Sequence, residues 1–342
     1  MDDLSYKSSL IDIIIPIYNG SKYLNDLYQN ISWIFEREFN KLINVILVDD
    51  GSTDNTSTIL KDLTKLKHEN LKILTQKNQG EGPARNTGIK NSSSPYILFL
   101  DCDDKLLREG INGFLKEYKK LEDFDIYLGS YFINFFNNNL KKCKNCNRII
   151  KGNLIPANFF NRKLYYGIGN TIISRKILEE KDLWFKNFET GSDNNFFRSF
   201  SLYAKNLVST SNYFFVYQKN QVSVMNSSAT KYMDVIESIE DTRLLLKKST
   251  KYDNKTVAVL NKALNYSLLQ EVLGIQWRSI LNKNKTLQNQ SLKLIDDFPL
   301  KINLFDFLGK VKLLRRLILL VFNFFPMFIL SILNSKFKKV IR

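Results

Sequence analysis

Short apolar runs alternate with helical patterns over the first hundred residues of the chain. The runs lie at 11–15, 45–48, 71–74 and 96–100, and their length is typical of strands buried on both faces of a parallel sheet. Leucine and isoleucine recur at helical spacing after each of the first two runs, and Ser21 precedes the first series as a candidate N-cap. The alternation predicts an α/β fold with a doubly wound, mostly parallel sheet, whose ligands bind beyond the carboxyl ends of the strands.

The pattern changes twice further along the chain. From about 104 to 225 it is irregular and rich in aromatic residues, and from about 234 onward it becomes helical. We therefore predict one domain over 1–230, whose regular first part ends at 104, and a helical C-terminal extension over 231–342.

The composition adds a large positive charge. Lys and Arg number 50 against 34 for Asp and Glu, which gives a formal net charge of +16. Such an excess favours polyanionic partners, among them nucleotide phosphates, nucleic acid and anionic membranes. A codon bias toward Lys, Asn, Ile and Phe explains the charge equally well, so the charge alone does not identify a partner.

The three cysteines form neither a disulfide framework nor a complete zinc site. Cys143 and Cys146 make a CxxC pair, but only Cys102 and His68 are available as further ligands. The N-terminal residues lack the charged and apolar pattern of a signal peptide, so we expect a cytoplasmic protein with reduced thiols.

Carboxylates follow the second and fourth predicted strands. The second strand ends in Asp49-Asp50, where a carboxylate can accept a uracil N3–H or ribose hydroxyls; a turn that caps a helix is the alternative. Asp101, Asp103 and Asp104 follow the fourth strand and repel one another unless a cation lies among them. A divalent metal shared by Asp103 and a pyrophosphate would stabilise a departing nucleotide, and an acidic turn facing water is the alternative.

A glycine-rich segment at 78–88 lies between these two strand ends. Gly80 and Gly82 permit a tight loop, and Arg85 can reach a phosphate or a base. The spacing imitates a dinucleotide-binding GxGxxG sequence, but Arg85 occupies the place of the third glycine, where it would disturb close helix packing. We therefore discount a dinucleotide site.

Taken in chain order, these segments resemble the motifs of family 2 glycosyltransferases, which have the GT-A fold. The resemblance covers about residues 9–225 and is greatest to bacterial enzymes that build capsular and other surface polysaccharides. It implies that 1–104 binds a nucleotide sugar and that 105–230 binds the acceptor. The matching motifs are Ile14-Ile15-Pro16-Ile17-Tyr18-Asn19, Val48-Asp49-Asp50-Gly51-Ser52-Thr53-Asp54, Asn78-Gln79-Gly80, Ala84-Arg85-Asn86-x-Gly88 and Leu100-Asp101-x-Asp103-Asp104.

The resemblance also implies a role for each matching residue. Asp101 would face the ribose or the donor sugar, and Asp103 would hold Mn²⁺ or Mg²⁺. The other donor-binding residues would be Pro16, Tyr18, Asn19, Asp50, Gly80 and Arg85.

Asp193 lies where the family carries its general base. The sequence departs from the family at the preceding position, where Ser192 stands in place of the usual Glu. The residues alone offer a second interpretation, in which Asp193 is the N-cap of the helix that carries Phe196 and Phe197, and the two roles are compatible.

These features predict inverting transfer of a sugar from a nucleotide diphosphate, expected to be UDP, to a hydroxyl of a glycan or lipid-linked glycan. A catalytically silent nucleotide-sugar-binding scaffold and a dinucleotide-dependent oxidoreductase are the alternatives. No nucleic-acid partner is expected, because that interpretation would rest on charge alone.

The segment at 317–333 is almost entirely apolar, and basic residues flank it on both sides. As a helix it falls short of the roughly 30 Å hydrocarbon core of a bilayer, and Asn323 and Pro326 interrupt it. We therefore predict that 310–342 associates peripherally with an anionic membrane, on the inner face of the cell membrane. A helical hairpin packed on the protein is the alternative.

Overall fold

The computed structural model of the chain describes residues 9–121, 123–135, 139–188, 190–219 and 229–281. Up to Leu264 these residues belong to one compact unit, and from Asn265 onward they belong to a second. No helix within the described ranges is long and apolar enough to span a membrane. The predicted membrane-associating segment 310–342 lies outside these ranges, and the domain boundary after residue 230 stays a prediction.

The four apolar runs form strands as predicted, and the aromatic-rich region that follows, which the sequence pattern marked as irregular, contains two long strands, β6 and β10. The described strands are β1 (Ile11–Ile17), β2 (Ile43–Asp49), β3 (Leu71–Thr75), β4 (Tyr96–Phe99), β5 (Lys105–Leu106), β6 (Ile126–Asn134), β7 (Leu140–Cys143), β8 (Arg148–Lys151), β9 (Thr171–Ser174) and β10 (Asn206–Gln218).

Helices connect most of these strands, and two short 3-10 turns lie at Ser32–Phe35 and Ile168–Asn170. The described helices are α1 (Ser21–Ile31), α2 (Thr56–Thr64), α3 (Glu81–Lys90), α4 (Arg108–Tyr118), α5 (Leu154–Phe160), α6 (Arg175–Lys181), α7 (Ser192–Tyr203), α8 (Ala229–Lys248) and α9 (Asn254–Leu281).

The first half of the sheet is parallel and has the order β3-β2-β1-β4. The chain moves outward from β1 to β3 and then returns to the other side of β1 as β4. The strand order therefore reverses between β1 and β4, and a crevice opens beyond their carboxyl ends. This arrangement confirms the predicted doubly wound α/β fold.

The second half of the sheet is mixed. β9 lies antiparallel between β4 and β6, while β6 and β10 are parallel to each other. Because β9 runs in the opposite direction, its first residues lie at the same edge of the sheet as the last residues of β4 and β6. Segments that precede β9 therefore reach the same crevice.

Helix α3 packs closely on the sheet at Gly88, which lies against the side chain of Ile14. A Cβ atom at this position would lie 2.3 Å from Cγ2 of Ile14, so any larger residue would push α3 away from β1. Next to this contact, the rings of Phe185 and Phe196 stack with their centroids 3.8 Å apart, and Phe99 of β4 meets Phe185 edge-on. This buried aromatic cluster supports the residues that line the crevice.

Asp54 caps two helices at once. Its Oδ2 accepts a hydrogen bond from the N–H of Ser21 at 3.1 Å, and its Oδ1 accepts one from the N–H of Thr56 at 2.9 Å, so the first residues of α1 and α2 share one carboxylate. Ser21 is therefore not the N-cap predicted from the sequence; Gly20 takes that position, and Asp54 satisfies the backbone from the neighbouring loop. Loss of solvent raises the pKa of Asp54, but the hydrogen bonds from Thr56 and Ser21 together outweigh it and lower the pKa to about 2.

Replacing Asp54 by Ala is expected to lower the free energy of unfolding by about 1–2 kcal/mol at pH 7, because both helix starts lose their acceptor. The depressed pKa means that this contribution is complete above the ordinary value of 3.8 and is lost as the pH falls from there toward about 2. Urea titrations of the wild type and D54A over this range measure the difference. Asp62→Ala, which removes an exposed partner of Lys65, is the control and should change stability little.

Candidate active site

The loops after β1 and β2 are joined by Asn19. Its Oδ1 accepts a hydrogen bond from the N–H of Thr53 at 2.8 Å, and its own N–H donates to Oγ of Ser52 at 3.0 Å. Asn19 has a left-handed backbone, with φ of 48°, which asparagine tolerates better than most residues. Tyr18 beside it is 51 % exposed at the edge of the crevice.

Pro16 is buried in β1, one residue before the strand ends. The pairing of β1 with β4 ends where the N–H of Leu100 donates to the carbonyl of Ile14 at 3.0 Å. Alternate residues of a strand direct their backbone groups to the same neighbouring strand, so position 16, like Ile14, faces β4. The N–H that Pro16 lacks would therefore point to the place where β4 leaves the sheet. A proline is therefore tolerated in this central strand at the point where the crevice opens.

Asp50 fixes the loop that leads into α3. Its Oδ1 accepts hydrogen bonds from Nε2 of Gln76 at 2.7 Å and from the N–H of Gln79 at 3.0 Å, and its Oδ2 accepts one from the N–H of Gly80 at 2.8 Å. Gly80 has a φ of 97°, which side-chain-bearing residues rarely adopt. Two predicted donor-binding residues, Asp50 and Gly80, therefore lie in direct contact.

Arg85 binds three carboxylates from three parts of the chain. Its Nη1 donates to Asp193 at 2.8 Å, and its Nη2 donates to Asp101 at 2.7 Å and to Glu81 at 2.5 Å. The guanidinium is buried, with 1 % of the side chain exposed, and it lies 5.2 Å from the ring centroid of Phe185. The structure thus brings together Arg85, Asp101 and Asp193, which the sequence placed in one site, and adds Glu81.

Asp193 lies in the first turn of α7, next to the crevice. Loss of solvent around its carboxyl raises its pKa, the positive charge of Arg85 opposes the rise, and the charge of Asp101 adds to it. The side chain is 42 % exposed, so water damps this shift. A raised pKa makes an aspartate a stronger base, as proton abstraction near neutral pH requires.

The interpretation of Asp193 as a helix N-cap is wrong. Gly191 occupies that position, and its φ of 87° turns the chain into α7. Ser192, which replaces the Glu usual in the family, donates its hydroxyl to the carbonyl of Lys186 at 2.8 Å and so fastens the preceding loop to the helix start. The carboxylate of Asp193 is left to contact Arg85.

Asn86 supports the site, although its sequence motif predicted no role for it. Its Nδ2 donates to the carbonyl of Phe185 at 2.8 Å, and its Oδ1 accepts from the N–H of Phe185 at 2.9 Å. These two bonds hold the segment before α7 against α3 and set the ring of Phe185 beside Arg85. The signal was present in the Ala84-Arg85-Asn86 motif, but the partner is 99 residues away.

The carboxylates after β4 have different environments. Asp104 is buried, and its Oδ1 accepts the N–H of Gln218 at 2.8 Å, which ties β10 to the end of β4; burial raises its pKa well above the ordinary value. Asp103 is partly exposed. Within the described residues, no three His, Cys, Asp or Glu side chains are grouped so that they could hold a metal ion. The site therefore fits a divalent cation only if a bound diphosphate and water supply most of its ligands, a mode typical of Mg²⁺.

A family model and several known proteins match this chain. Residues 12–181 match the model of the family described as Glycosyl transferase family 2. Glycosyltransferase GlyG of Streptococcus pneumoniae is 34 % identical over 126 residues, which is 36 % of this chain and 40 % of that protein. Poly(ribitol-phosphate) beta-N-acetylglucosaminyltransferase TarP of Staphylococcus aureus is 26 % identical over 244 residues, 67 % of this chain and 70 % of that protein.

A solved structure has a similar fold. The crystal structure of S. aureus TarS 1–349 in complex with UDP-GlcNAc superposes with a TM-score of 0.64 at 17 % sequence identity. The superposition covers 84 % of this chain and 90 % of that one. The fold of this chain therefore recurs in a protein that was crystallised with a nucleotide sugar.

Proposed function

The chain is a family 2 glycosyltransferase with a GT-A fold, and on this premise we propose that it transfers a sugar, with inversion, from a nucleotide diphosphate to an acceptor hydroxyl. The observation that carries the proposal is the contact of Arg85 with both Asp193 and Asp101, at 2.8 and 2.7 Å. The guanidinium of Arg85 thereby fixes the position of Asp193, the candidate base, relative to Asp101, the carboxylate expected to face the donor.

In the proposed reaction, Asp193 removes the proton from the acceptor hydroxyl as its oxygen attacks the anomeric carbon. The bond between that carbon and the phosphate oxygen breaks on the opposite side, and the nucleoside diphosphate leaves with the bonding electrons. The partly exposed carboxylate of Asp193 at the crevice supports this role, because a base must be accessible to the incoming hydroxyl.

The proposed donor is a UDP-sugar. TarS, which has a similar fold, was crystallised in complex with UDP-GlcNAc, and TarP is named a beta-N-acetylglucosaminyltransferase. UDP-N-acetylhexosamines are therefore the first donors to test. The nucleoside would lie at the ends of β1 and β2, near Pro16, Tyr18, Asn19, Asp50 and Gly80.

The proposed acceptor is a glycan or lipid-linked glycan of the bacterial surface, bound by a protein that works at the cytoplasmic face of the membrane. GgaA of Bacillus subtilis is named a minor teichoic acid biosynthesis protein, and TarP is named for transfer to poly(ribitol-phosphate), so both relatives support a bacterial polymer as the acceptor. The family membership favours transfer over both a silent scaffold and an oxidoreductase. Ser192, which suggested a silent protein, makes a normal hydrogen bond in the loop and leaves Asp193 in place.

A divalent cation, Mn²⁺ or Mg²⁺, is proposed to assist departure of the diphosphate, with Asp103 as its protein ligand. When bound, such an ion neutralises the charge that develops on the leaving group. Arg85 is buried among carboxylates, so it is poorly placed to neutralise that charge alone.

The proposal is tested by incubating the purified chain with UDP-sugars and Mn²⁺ and measuring UDP release with and without acceptor sugars. Acceptor-dependent release, with inverted stereochemistry at the anomeric carbon of the product, supports it. Binding of UDP-sugars without any turnover under these conditions would instead favour the scaffold.

Replacing Asp103 by Ala is expected to remove the Mn²⁺ dependence of nucleotide binding and to leave the fold intact, because one of several repelling carboxylates is lost. Thermal shifts with UDP, measured with and without Mn²⁺, check this, since a ligand of the native state raises its melting temperature. Asp26→Ala, on an exposed position of α1, is the control. An unchanged Mn²⁺ effect in D103A would contradict the assignment.

A further inference from the structure

Tyr165 is an exposed aromatic residue whose backbone is held firmly. Its N–H donates to Oδ1 of Asn145 at 3.0 Å, and its carbonyl accepts Nδ2 of Asn145 and Nδ2 of Asn170, both at 2.8 Å. Asn145 is 4 % exposed and Asn170 is 0 % exposed, whereas Tyr165 is 48 % exposed. Two buried amides therefore fix one backbone position whose side chain faces solvent.

The same two amides connect Tyr165 to the sheet. Nδ2 of Asn145 and Nδ2 of Asn170 also donate to the carbonyl of Gly129 in β6, at 2.8 and 2.7 Å. The N–H of Asn145 donates to Oγ of Ser130 at 2.9 Å. Tyr165 is thus anchored to a central strand, although it lies in a connecting segment.

The register of the sheet puts this anchor beside the crevice. Leu98 of β4 and Tyr127 of β6 both pair with Ile172 of β9, so Leu100 and Gly129, two residues further along, also lie level. Neighbouring strands are about 4.8 Å apart, so Gly129 lies about 10 Å from the end of β4, where Asp101 follows. The backbone carbonyl of Tyr165 shares two amide donors with that of Gly129, so Tyr165 is held near the end of β4.

Other tyrosines lie around Tyr165. Tyr166 turns inward, with its ring centroid 4.5 Å from that of Phe159. Burial raises the pKa of Tyr131, and nearby groups that include Tyr165 add to the rise. Burial and the charges of Asp104 and Asp101 raise the pKa of Tyr217. Tyr165 therefore lies in the neighbourhood of Tyr131 of β6, and Tyr217 of β10 lies in that of the carboxylates after β4.

We propose that Tyr165 determines acceptor specificity by packing its ring against the pyranose ring of the acceptor, next to the hydroxyl that Asp193 deprotonates. The proposal rests on the glycosyltransferase function proposed above. The C–H face of a pyranose packs on an aromatic ring, whereas a linear polyol phosphate offers no such face. Tyr165 lies on the β6 side of β4, away from β1 and β2, so it faces the acceptor and not the nucleoside.

The test measures binding of methyl glucopyranoside, methyl galactopyranoside and methyl N-acetylglucosaminide to the full chain in the presence of UDP and Mn²⁺, by saturation-transfer NMR. Ribitol 5-phosphate is the linear comparison ligand. Tyr165→Ala is expected to weaken binding of the preferred pyranoside about tenfold, and Tyr165→Phe, which keeps the ring, to stay within about twofold of the wild type. Leu66→Ala removes an equally exposed apolar side chain, also 48 %, and should change nothing.

Unchanged pyranoside binding in Y165A would overturn the proposal, as would a wild-type protein that binds ribitol 5-phosphate but no pyranoside. Equal losses of UDP and pyranoside binding in Y165A would assign the residue to the donor and contradict the acceptor role. Failure of the proposed function is distinguishable, because it appears as absent UDP-sugar turnover in a wild-type protein that still binds pyranosides.

Discussion

Asp193→Asn is expected to reduce sugar transfer by about 10²–10⁴-fold, the range that general-base catalysis typically contributes, while donor binding stays within a few-fold. An alcohol is a poor nucleophile until its proton is removed, and an amide cannot accept that proton. Gly191 caps α7, so the substitution leaves the helix start unchanged. Steady-state rates with saturating donor, together with thermal shifts for UDP, measure both effects.

The pH dependence provides a second readout of the same residue. Transfer requires the ionised carboxylate, so the rate should fall as the pH decreases through the pKa of Asp193, which its surroundings raise above the ordinary value of 3.8. The falling limb should therefore lie above pH 3.8 in the wild type and be absent from the residual activity of D193N. Asp26→Asn, on an exposed position of α1, is the matched control. Turnover near that of the wild type in D193N would eliminate Asp193 as the base.

Arg85→Gln is expected to lower the free energy of unfolding by about 2–4 kcal/mol and to abolish transfer. Removing one partner of a buried ion pair leaves charges uncompensated, which typically costs about 3–5 kcal/mol. The cost is smaller here because Asp101, Asp193 and Glu81 are 27 %, 42 % and 57 % exposed, so water can solvate part of each carboxylate. Urea denaturation of both proteins measures the change.

Arg108 provides the control for this substitution. It pairs with Glu36 at 2.9 Å, and both side chains are at least one-third exposed. Arg108→Gln should therefore cost less than about 1 kcal/mol, as exposed ion pairs usually do, and should retain transfer. If R85Q were as stable as R108Q, the three-carboxylate contact would not exist in solution.

The sequence predicted the parallel half of the sheet better than the rest. Buried strands require continuous apolar residues, and this local requirement located β1 to β4. The long strands β6 and β10 were not predicted, because small and polar residues interrupt the apolar and aromatic runs within each strand and β10 contains bulges in its pairing with β6. Their position depends on pairing with distant strands.

The candidate site was also only partly predictable from the sequence. The motif around Asp49, Asp50 and Asp54 was identified from the sequence, but its residue types fitted both a ligand site and a capped turn. The structure shows that Asp54 caps two helices and that Asp50 orders the loop before α3, because each carboxylate accepts at least one backbone N–H from another loop. Neighbours in sequence could not reveal those partners.

The sequence by itself determined the alternation of strands and helices in the first hundred residues and the family to which the chain belongs. Both depend on residue types within a few positions of one another. Only the tertiary structure decided that Arg85 joins Asp193 to Asp101, since Arg85 and Asp193 are separated by 108 residues. Their contact exists because α3 and the segment before α7 pack together through Asn86 and Phe185, which buries the guanidinium of Arg85 against both carboxylates.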